Sequence, residues 1–111
     1  MGHFNDKELR CKCCGQLVCT TQLLAKLEAL REAAGQPVII NCAYRCPKHN
    51  REVGGVINSY HCRGMAADVR INGLTPIQVA ELAAGVGFTG IGVYETFTHV
   101  DVREKPAHWR G

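Results

Sequence analysis

The clearest periodic pattern in the chain predicts a helix over residues 20–34. Leucines recur there at helical spacing, with charged side chains between them, which is typical of an amphipathic helix with one buried face. Thr20 or Thr21 is expected to cap the first turn, and Gly35 to end the helix. The leucines expected to form the apolar face are Leu23, Leu24, Leu27 and Leu30.

Two further helices follow from capping signals. Residues 47–53 form a short segment that starts with a proline and is closed by Gly54 and Gly55. A longer helix is predicted from Thr75 to residue 84, because a capping threonine is followed by a proline, which favours the first helical turn. Gly85 or Gly87 is expected to end this helix.

Four strands are predicted between and after these helices. Residues 37–40 form a short β-branched run, and residues 65–71 alternate small or apolar residues with polar ones, a pattern typical of strands. Residues 91–94 and 97–102 are expected to pair across a tight turn near Glu95. These elements predict an α+β fold, with helices packed against a small antiparallel sheet.

Length and composition suit one compact domain over residues 1–111, whose first 19 residues are rich in cysteine. The chain is 46% hydrophobic and carries a formal net charge of +3. Basic side chains are scattered and do not form a stripe with interleaved aromatics, so a nucleic-acid partner is not expected. No stretch of the sequence is apolar enough to span a bilayer. The polar start predicts no secretory signal, and therefore synthesis in the cytoplasm.

The residues that point to chemistry are His61, Asp68 and His99. Two imidazoles and one carboxylate can hold a zinc ion and leave its fourth position to water, which is the arrangement of a catalytic zinc site. Adjacent strands would bring Asp68 and His99 to one side of the sheet, and Gly64 would let the loop that carries His61 fold back. Spacing alone leaves ordinary hydrogen-bonded histidines and a salt-bridged aspartate as an equal alternative.

The cysteines suggest a second metal site. Cys11 and Cys14 have the spacing of a zinc knuckle, and Cys46 with His49 offers another pair of ligands. A structural zinc in the Cys11/Cys14 region is one hypothesis, and buried thiols or one or two disulfides are the alternative. Cys62 lies next to His61, but adjacent residues on an extended chain point apart, so a cysteine nucleophile is not expected.

Several motifs together resemble the zinc D-alanyl-D-alanine carboxypeptidase family. They are Y-R-C-P-K-H-N at 44–50, V-G-G at 53–55, N-S-Y-H at 58–61, G-M-A-A-D at 64–68 and H-V-D-V-R at 99–103. That family includes phage endolysin peptidases, and the hedgehog signalling domain shares its fold. The resemblance covers residues 23–109, nearly the whole chain.

The resemblance implies roles for individual residues. His61, Asp68 and His99 would be the zinc ligands, and the pKa of the water they hold would fall toward ~7. Arg45 matches an arginine near the scissile carbonyl, where it can stabilise an oxyanion. Ser59 matches a serine that can hydrogen-bond substrate, with a turn serine as the alternative, and Tyr60 either lines the cleft or packs.

The general base is less clearly specified. Relatives use a carboxylate shortly before the last histidine, where this chain has Thr96. Glu95 lies one residue earlier and is favoured as the base. Asp101 is its competitor, either as the base or as a group that orients a ligand imidazole.

The resulting expectation is a zinc peptidase that cuts peptidoglycan stem peptides, as a carboxypeptidase or an endolysin-type endopeptidase. If phage- or prophage-derived, it would act at the cell wall. The alternative is a zinc-containing binding domain without catalysis, as in the hedgehog branch of the fold, which the threonine at position 96 keeps open. Oligomeric state is left open by the sequence.

Overall fold

The computed structural model describes residue 4 and residues 6–11, 14–54 and 59–111. Expectations that involve Cys13, Gly55, Asn58 or the side chain of His49 lie outside the described part of the chain. The elements in chain order are α1 (Asp6–Leu9), α2 (Thr21–Ala34), β1 (Ile39–Cys42), α3 (Pro47–Glu52), a 3₁₀ helix (Tyr60–Arg63), β2 (Ala66–Arg70), α4 (Pro76–Val86), β3 (Gly90–Val93), β4 (Thr98–Asp101) and β5 (Ala107–Arg110).

Both long helices begin and end at the residues that carry capping signals. The hydroxyl of Thr20 accepts a hydrogen bond from the Leu23 amide, and Gly35 closes α2 in the left-handed conformation. In α4, Thr75 forms a capping box with Gln78, and Gly87 ends the helix. These side chains satisfy backbone groups that a helix end leaves without partners.

The five strands form one mixed sheet, in the order β1-β2-β4-β3-β5. β1 pairs with β2, β2 with β4 and β4 with β3, and all three pairs are antiparallel, as predicted. The predicted α+β fold is confirmed, and β5, a strand that the sequence did not predict, adds a parallel neighbour to β3 at one edge of the sheet. β1 begins two residues later than the predicted strand at 37–40, since its register is set by pairing with β2.

One face of the sheet carries the core. Helices α2 and α4 cover this face, and their buried side chains pack with those of β2, β3 and β4. Leu24 is an exception to the predicted apolar face, because 36% of it is exposed. Among the described helices, none is long and apolar enough to cross a bilayer. The buried residues that build this layer include Leu23, Leu27, Leu30, Val69, Val79, Ile91 and Val100.

The opposite face of the sheet is polar at its centre. Asp68 of β2 lies directly opposite His99 of β4 in the strand register, so both side chains point to the same side. The 3₁₀ helix leads into β2 and carries His61, for which the sequence predicts a loop. Gly64 ends that helix with a φ of 69°, and its amide donates to the His61 carbonyl over 3.3 Å.

A second reason requires glycine at position 64, because the backbone of Val18 passes close to it. A Cβ at this position would lie 2.6 Å from the Val18 carbonyl oxygen, in addition to the positive φ. We expect Gly64→Ala to lower the free energy of unfolding by about 3 kcal/mol, the sum of left-handed strain and overpacking. Denaturant unfolding monitored by circular dichroism measures it.

Gly73→Ala is the matched control, because Gly73 has a φ of 86° but a Cβ added there would meet nothing within 4 Å. It should cost about 1 kcal/mol, from conformational strain alone. Equal destabilisation by the two substitutions would contradict the packing argument.

Candidate metal centre and active-site cleft

His61 is held in a defined orientation by the backbone around it. Its side chain is buried, and its Nδ1 lies 2.7 Å from the carbonyl oxygen of Ala43. A carbonyl only accepts, so Nδ1–H donates to it. Nε2 then carries a proton toward Asp68 when the ring is protonated, and a free lone pair when the ring is neutral. That Nε2 lies 3.2 Å from Oδ1 of Asp68.

His99 is oriented in the same way from the other side. Its Nε2 lies 2.7 Å from Oδ2 of Asp101, and its Nδ1 lies 3.1 Å from Oδ1 of Asp68. The Asp101 carboxylate therefore holds the proton on Nε2 and turns Nδ1 toward Asp68. Outer partners of this kind fix the tautomer of metal-bound histidines.

The two distances from Asp68 Oδ1 to the ring nitrogens match those between zinc ligands, while the side chains whose ligand atoms are grouped within 4.8 Å of one another are Cys42, His61 and Asp68. Tetrahedral ligands about 2.0–2.1 Å from zinc lie about 3.3 Å apart, close to the 3.1 and 3.2 Å that separate Asp68 Oδ1 from the two ring nitrogens. Burial alone would raise the pKa of Asp68, but hydrogen bonds from His61 and His99 hold that pKa well below its usual range. The carboxylate is thus ionised, as a metal ligand requires.

The neighbouring carboxylates also shift the pKa values of the two imidazoles. Burial alone would lower the pKa of His61, but its hydrogen bond to Asp68 raises it overall. The pKa of His99 is likewise raised, because hydrogen bonds to Asp101 and Asp68 outweigh burial. The pocket therefore favours positive charge between the carboxylates, whether carried by protons or by a cation.

Asp101 is fully buried and already engaged. Arg103 binds it in a bidentate manner, with Nη2–Oδ2 and Nε–Oδ1 distances of 2.6 and 2.8 Å. Burial would raise the pKa of Asp101, but Arg103 and His99 hold it far below its usual range. Gly90 leaves the space for this carboxylate, since a Cβ there would collide with it. Both oxygens of Asp101 are therefore already engaged by Arg103 and His99.

Cys42 is a neighbour of the triad that the sequence did not indicate. It lies opposite Asp68 where β1 pairs with β2, at an irregularity in the register. Its sulfur lies within 4.8 Å of ligand atoms of His61 and Asp68. The signal that would have identified it is the strand register, which the sequence alone does not provide.

The triad opens into a cleft of about 510 Å³, within the range of small-ligand sites. Arg45 lines it, and its Nη2 lies 3.4 Å from Ser59 Oγ. Within the described ranges, the buried Nε of Arg45 has no hydrogen-bond partner. The described lining consists of Arg45, Val53, Gly54, Ser59, Tyr60, His61, Asp68, Tyr94, Phe97, His99, Arg103 and Trp109.

Aromatic rings and Arg103 form one wall of the cleft. The Arg103 guanidinium lies over the rings of Tyr60 and Trp109, 4.5 and 4.8 Å from their centroids. Trp109 Nε1 donates to the Tyr94 hydroxyl over 2.9 Å. The Trp109 ring packs over Gly92, where a side chain would clash. Trp109 reaches the cleft from β5, the edge strand of the sheet.

The structure does not bring Glu95 to the triad. Its exposed side chain lines a separate groove with Val93 and Arg110. Its neighbour Tyr94 lines both this groove and the triad cleft. Ser59, by contrast, is buried, and its hydroxyl accepts hydrogen bonds from the His61 amide and from Arg45, so it performs the structural role of a turn serine while facing the cleft.

The chain is similar to two known peptidases over part of its length. The chain is 39% identical over 67 residues to the zinc D-Ala-D-Ala carboxypeptidase of Streptomyces albus G, covering 60% of this chain and 26% of that protein. It is 37% identical over 76 residues to the probable peptidoglycan L,D-endopeptidase MepK of Haemophilus influenzae, covering 63% of this chain and 41% of that protein.

The chain thus spans less than half the length of either relative. The model of one family, described as Peptidase M15, matches residues 2–102, which include all three residues of the triad. This match covers most of the sequence, and the α+β architecture agrees with it. The chain belongs to the peptidase M15 family.

Proposed function

We propose that this protein is a zinc-dependent peptidase that hydrolyses peptide bonds of peptidoglycan stem peptides. One observation carries the proposal. Two imidazoles each turn one ring nitrogen toward the same oxygen of Asp68, while their other nitrogens are held by Ala43 and Asp101. The names of the two relatives, a carboxypeptidase and a peptidoglycan endopeptidase, support the substrate class.

The proposed zinc ligands are His61 Nε2, Asp68 Oδ1 and His99 Nδ1. Zinc held by three protein ligands supplies a Lewis acid and lowers the pKa of a water molecule at its fourth position. The protein's contribution is to fix these three donors before the ion binds. Asp101 and Ala43 do so through the outer ring nitrogens, which makes Asp101 a positioning residue.

Arg45 is proposed to bind the substrate beside the metal. Its buried Nε lacks a partner among the described residues, and such a donor is costly to leave unsatisfied. A substrate carbonyl or carboxylate oxygen would satisfy it and gain a charge-assisted hydrogen bond. Ser59 supports this role by anchoring the other end of the guanidinium.

The aromatic wall is proposed to hold the rest of the peptide. Tyr94 and Phe97 stack with ring centroids 4.6 Å apart, which gives the cleft a rigid apolar side. Tyr60 and Trp109 flank Arg103 on the cleft wall. Such a surface suits a short peptide with small side chains and polar backbone groups.

Glu95 is proposed as the general base. Of the two acids considered, it has the solvent-exposed carboxylate, whereas both oxygens of Asp101 are bound by Arg103 and His99. The role requires the turn between β3 and β4 to carry Glu95 toward the cleft when substrate binds. Catalytic contacts often form only in the substrate complex.

Hydrolysis of purified peptidoglycan tests the proposed function. We expect the zinc-loaded protein to release peptide or D-amino-acid products that mass spectrometry identifies, and a chelator to abolish release until zinc is restored. Asp68→Asn should abolish product release, because it removes the carboxylate that is the proposed third zinc ligand and that faces both histidines. Zinc content and the circular dichroism spectrum serve as controls for loading and folding.

A zinc-loaded protein that cleaves no peptidoglycan fragment would overturn the proposal. Such a result would favour a zinc-containing binding domain. Cleavage that persists in a chelator would contradict the zinc dependence instead. The bond that is cut, read from the product masses, distinguishes a carboxypeptidase from an endopeptidase.

Asp101→Asn tests the positioning role. The amide keeps the size of the side chain but loses the negative charge that faces His99 and Arg103. We expect zinc affinity to fall about 10- to 100-fold, measured by competition with a chromophoric chelator. At saturating zinc, KM should change less than kcat. Unchanged zinc affinity in a folded variant would contradict the role.

Glu95→Gln tests the proposed base. Zinc content should stay the same and kcat should fall at least about 100-fold, the contribution typical of general base catalysis. Glu81→Gln is the matched control, because Glu81 is an exposed acid on α4 outside the triad cleft. Activity of Glu95→Gln within about twofold of the control, far less than a general base contributes, would remove Glu95 from the mechanism.

A further inference from the structure

A second group of possible metal ligands lies apart from the triad. The sulfur atoms of Cys11, Cys14 and Cys46 lie within 4.8 Å of one another. Cys11 and Cys14 follow α1, and Cys46 directly precedes α3. The fold thus brings together thiols from two distant segments of the chain, with Tyr44 and Val18 packed against them.

Backbone hydrogen bonds link the residues on either side of the segment that carries Cys11 and Cys14, whose spacing is that of a zinc knuckle. The Gly15 amide donates to the Cys11 carbonyl over 2.9 Å, and the Cys11 amide donates to the Gln16 carbonyl over 2.8 Å. Gly15 adopts a positive φ of 73°, which lets the chain reverse directly after Cys14.

A backbone amide also faces one of the sulfur atoms. The Cys46 amide donates to Cys11 Sγ over 3.4 Å. Neutral thiols are weak acceptors, whereas hydrogen bonds of this kind favour the thiolate form that binds metals. This is a second observation, independent of the clustering of sulfur atoms, that points to a bound cation.

Cys62 is the candidate for a fourth ligand among the described residues. The Arg45 amide donates to the His61 carbonyl over 3.3 Å, which places Cys46 and Cys62 on two backbone segments that are hydrogen-bonded to each other. Cys62 follows His61 in the 3₁₀ helix. With Cys62 as the fourth ligand, the set would contain four sulfur atoms, the closed arrangement of structural zinc sites.

We propose that Cys11, Cys14, Cys46 and Cys62 bind a structural zinc ion distinct from the zinc of the triad. Four thiolate ligands leave no open position, so this ion would stabilise the fold and take no part in hydrolysis. It would join the N-terminal segment to the loop before α3 and to the 3₁₀ helix. The proposal stands independently of the proposed peptidase activity.

Two of the proposed ligands are adjacent in sequence to residues of the cleft, so this ion would also affect the active site. Cys46 follows Arg45 and Cys62 follows His61, and the Arg45 amide donates to the His61 carbonyl over 3.3 Å. A metal that binds both cysteines would fix the backbone from which Arg45 and His61 reach into the cleft. Since metal binding of this kind couples to folding, its loss should loosen the cleft as well as the N-terminal segment.

Zinc stoichiometry tests the proposal. Elemental analysis of the protein purified under reducing conditions should give two zinc ions per chain. Cys14→Ser and Cys46→Ser should each give one, and so should Asp68→Asn, which affects the other site. Cys19→Ser is the matched control and should keep two, because Cys19 lies outside the cluster and its thiol contacts the Thr20 carbonyl.

Cobalt substitution identifies the ligands if a cysteine variant folds poorly. The Asp68→Asn protein loaded with Co²⁺ should show the intense thiolate-to-cobalt charge-transfer bands of a tetrahedral sulfur site. One zinc ion per chain in the wild type, lost in Asp68→Asn, would overturn the inference while leaving the proposed peptidase intact. A disulfide between any two of the four cysteines, found by mass spectrometry of the purified protein after alkylation, would also overturn it.

Discussion

The site depends on one shared interaction, the approach of two imidazoles to a single carboxylate oxygen. Asp68 and His99 are opposite each other because β2 and β4 pair in that register. His61 arrives from the 3₁₀ helix that precedes β2. A one-residue slip of either strand would turn a proposed ligand into the core, so the hydrophobic face covered by α2 and α4 also fixes the proposed metal centre. The core lies on one face of the sheet, and Asp68 and His99 lie on the other.

Small residues make room for this arrangement in three places. Gly64 lets the end of the 3₁₀ helix approach Val18, Gly90 admits the buried Asp101 carboxylate, and Gly92 lies under the Trp109 ring. Asp101 then carries a negative charge that is balanced by Arg103 and His99. Arg103 in turn lies against Tyr60 and Trp109. The orientation of His99 is thereby linked to the wall that would contact the substrate.

The sequence predicted the elements whose signals are local. Both long helices end at their capping residues, and His61, Asp68 and His99 were identified as the residues that converge. What it missed depends on distant contacts. β5 is a four-residue strand defined by pairing with β3, and β1 is shifted by the register of β2. The engagement of Asp101 by Arg103, and the position of Glu95 in a separate groove, follow from packing that no local pattern encodes.

Anomalous diffraction at the zinc edge, from crystals of the zinc-loaded protein, is the sharpest test of the proposed metal centre. We expect a zinc ion about 2.0–2.2 Å from His61 Nε2, Asp68 Oδ1 and His99 Nδ1 together, with the outer ring nitrogens still bound to Ala43 and Asp101. A loaded crystal in which the two imidazoles and Asp68 hydrogen-bond each other, with no zinc between them, would contradict the proposal.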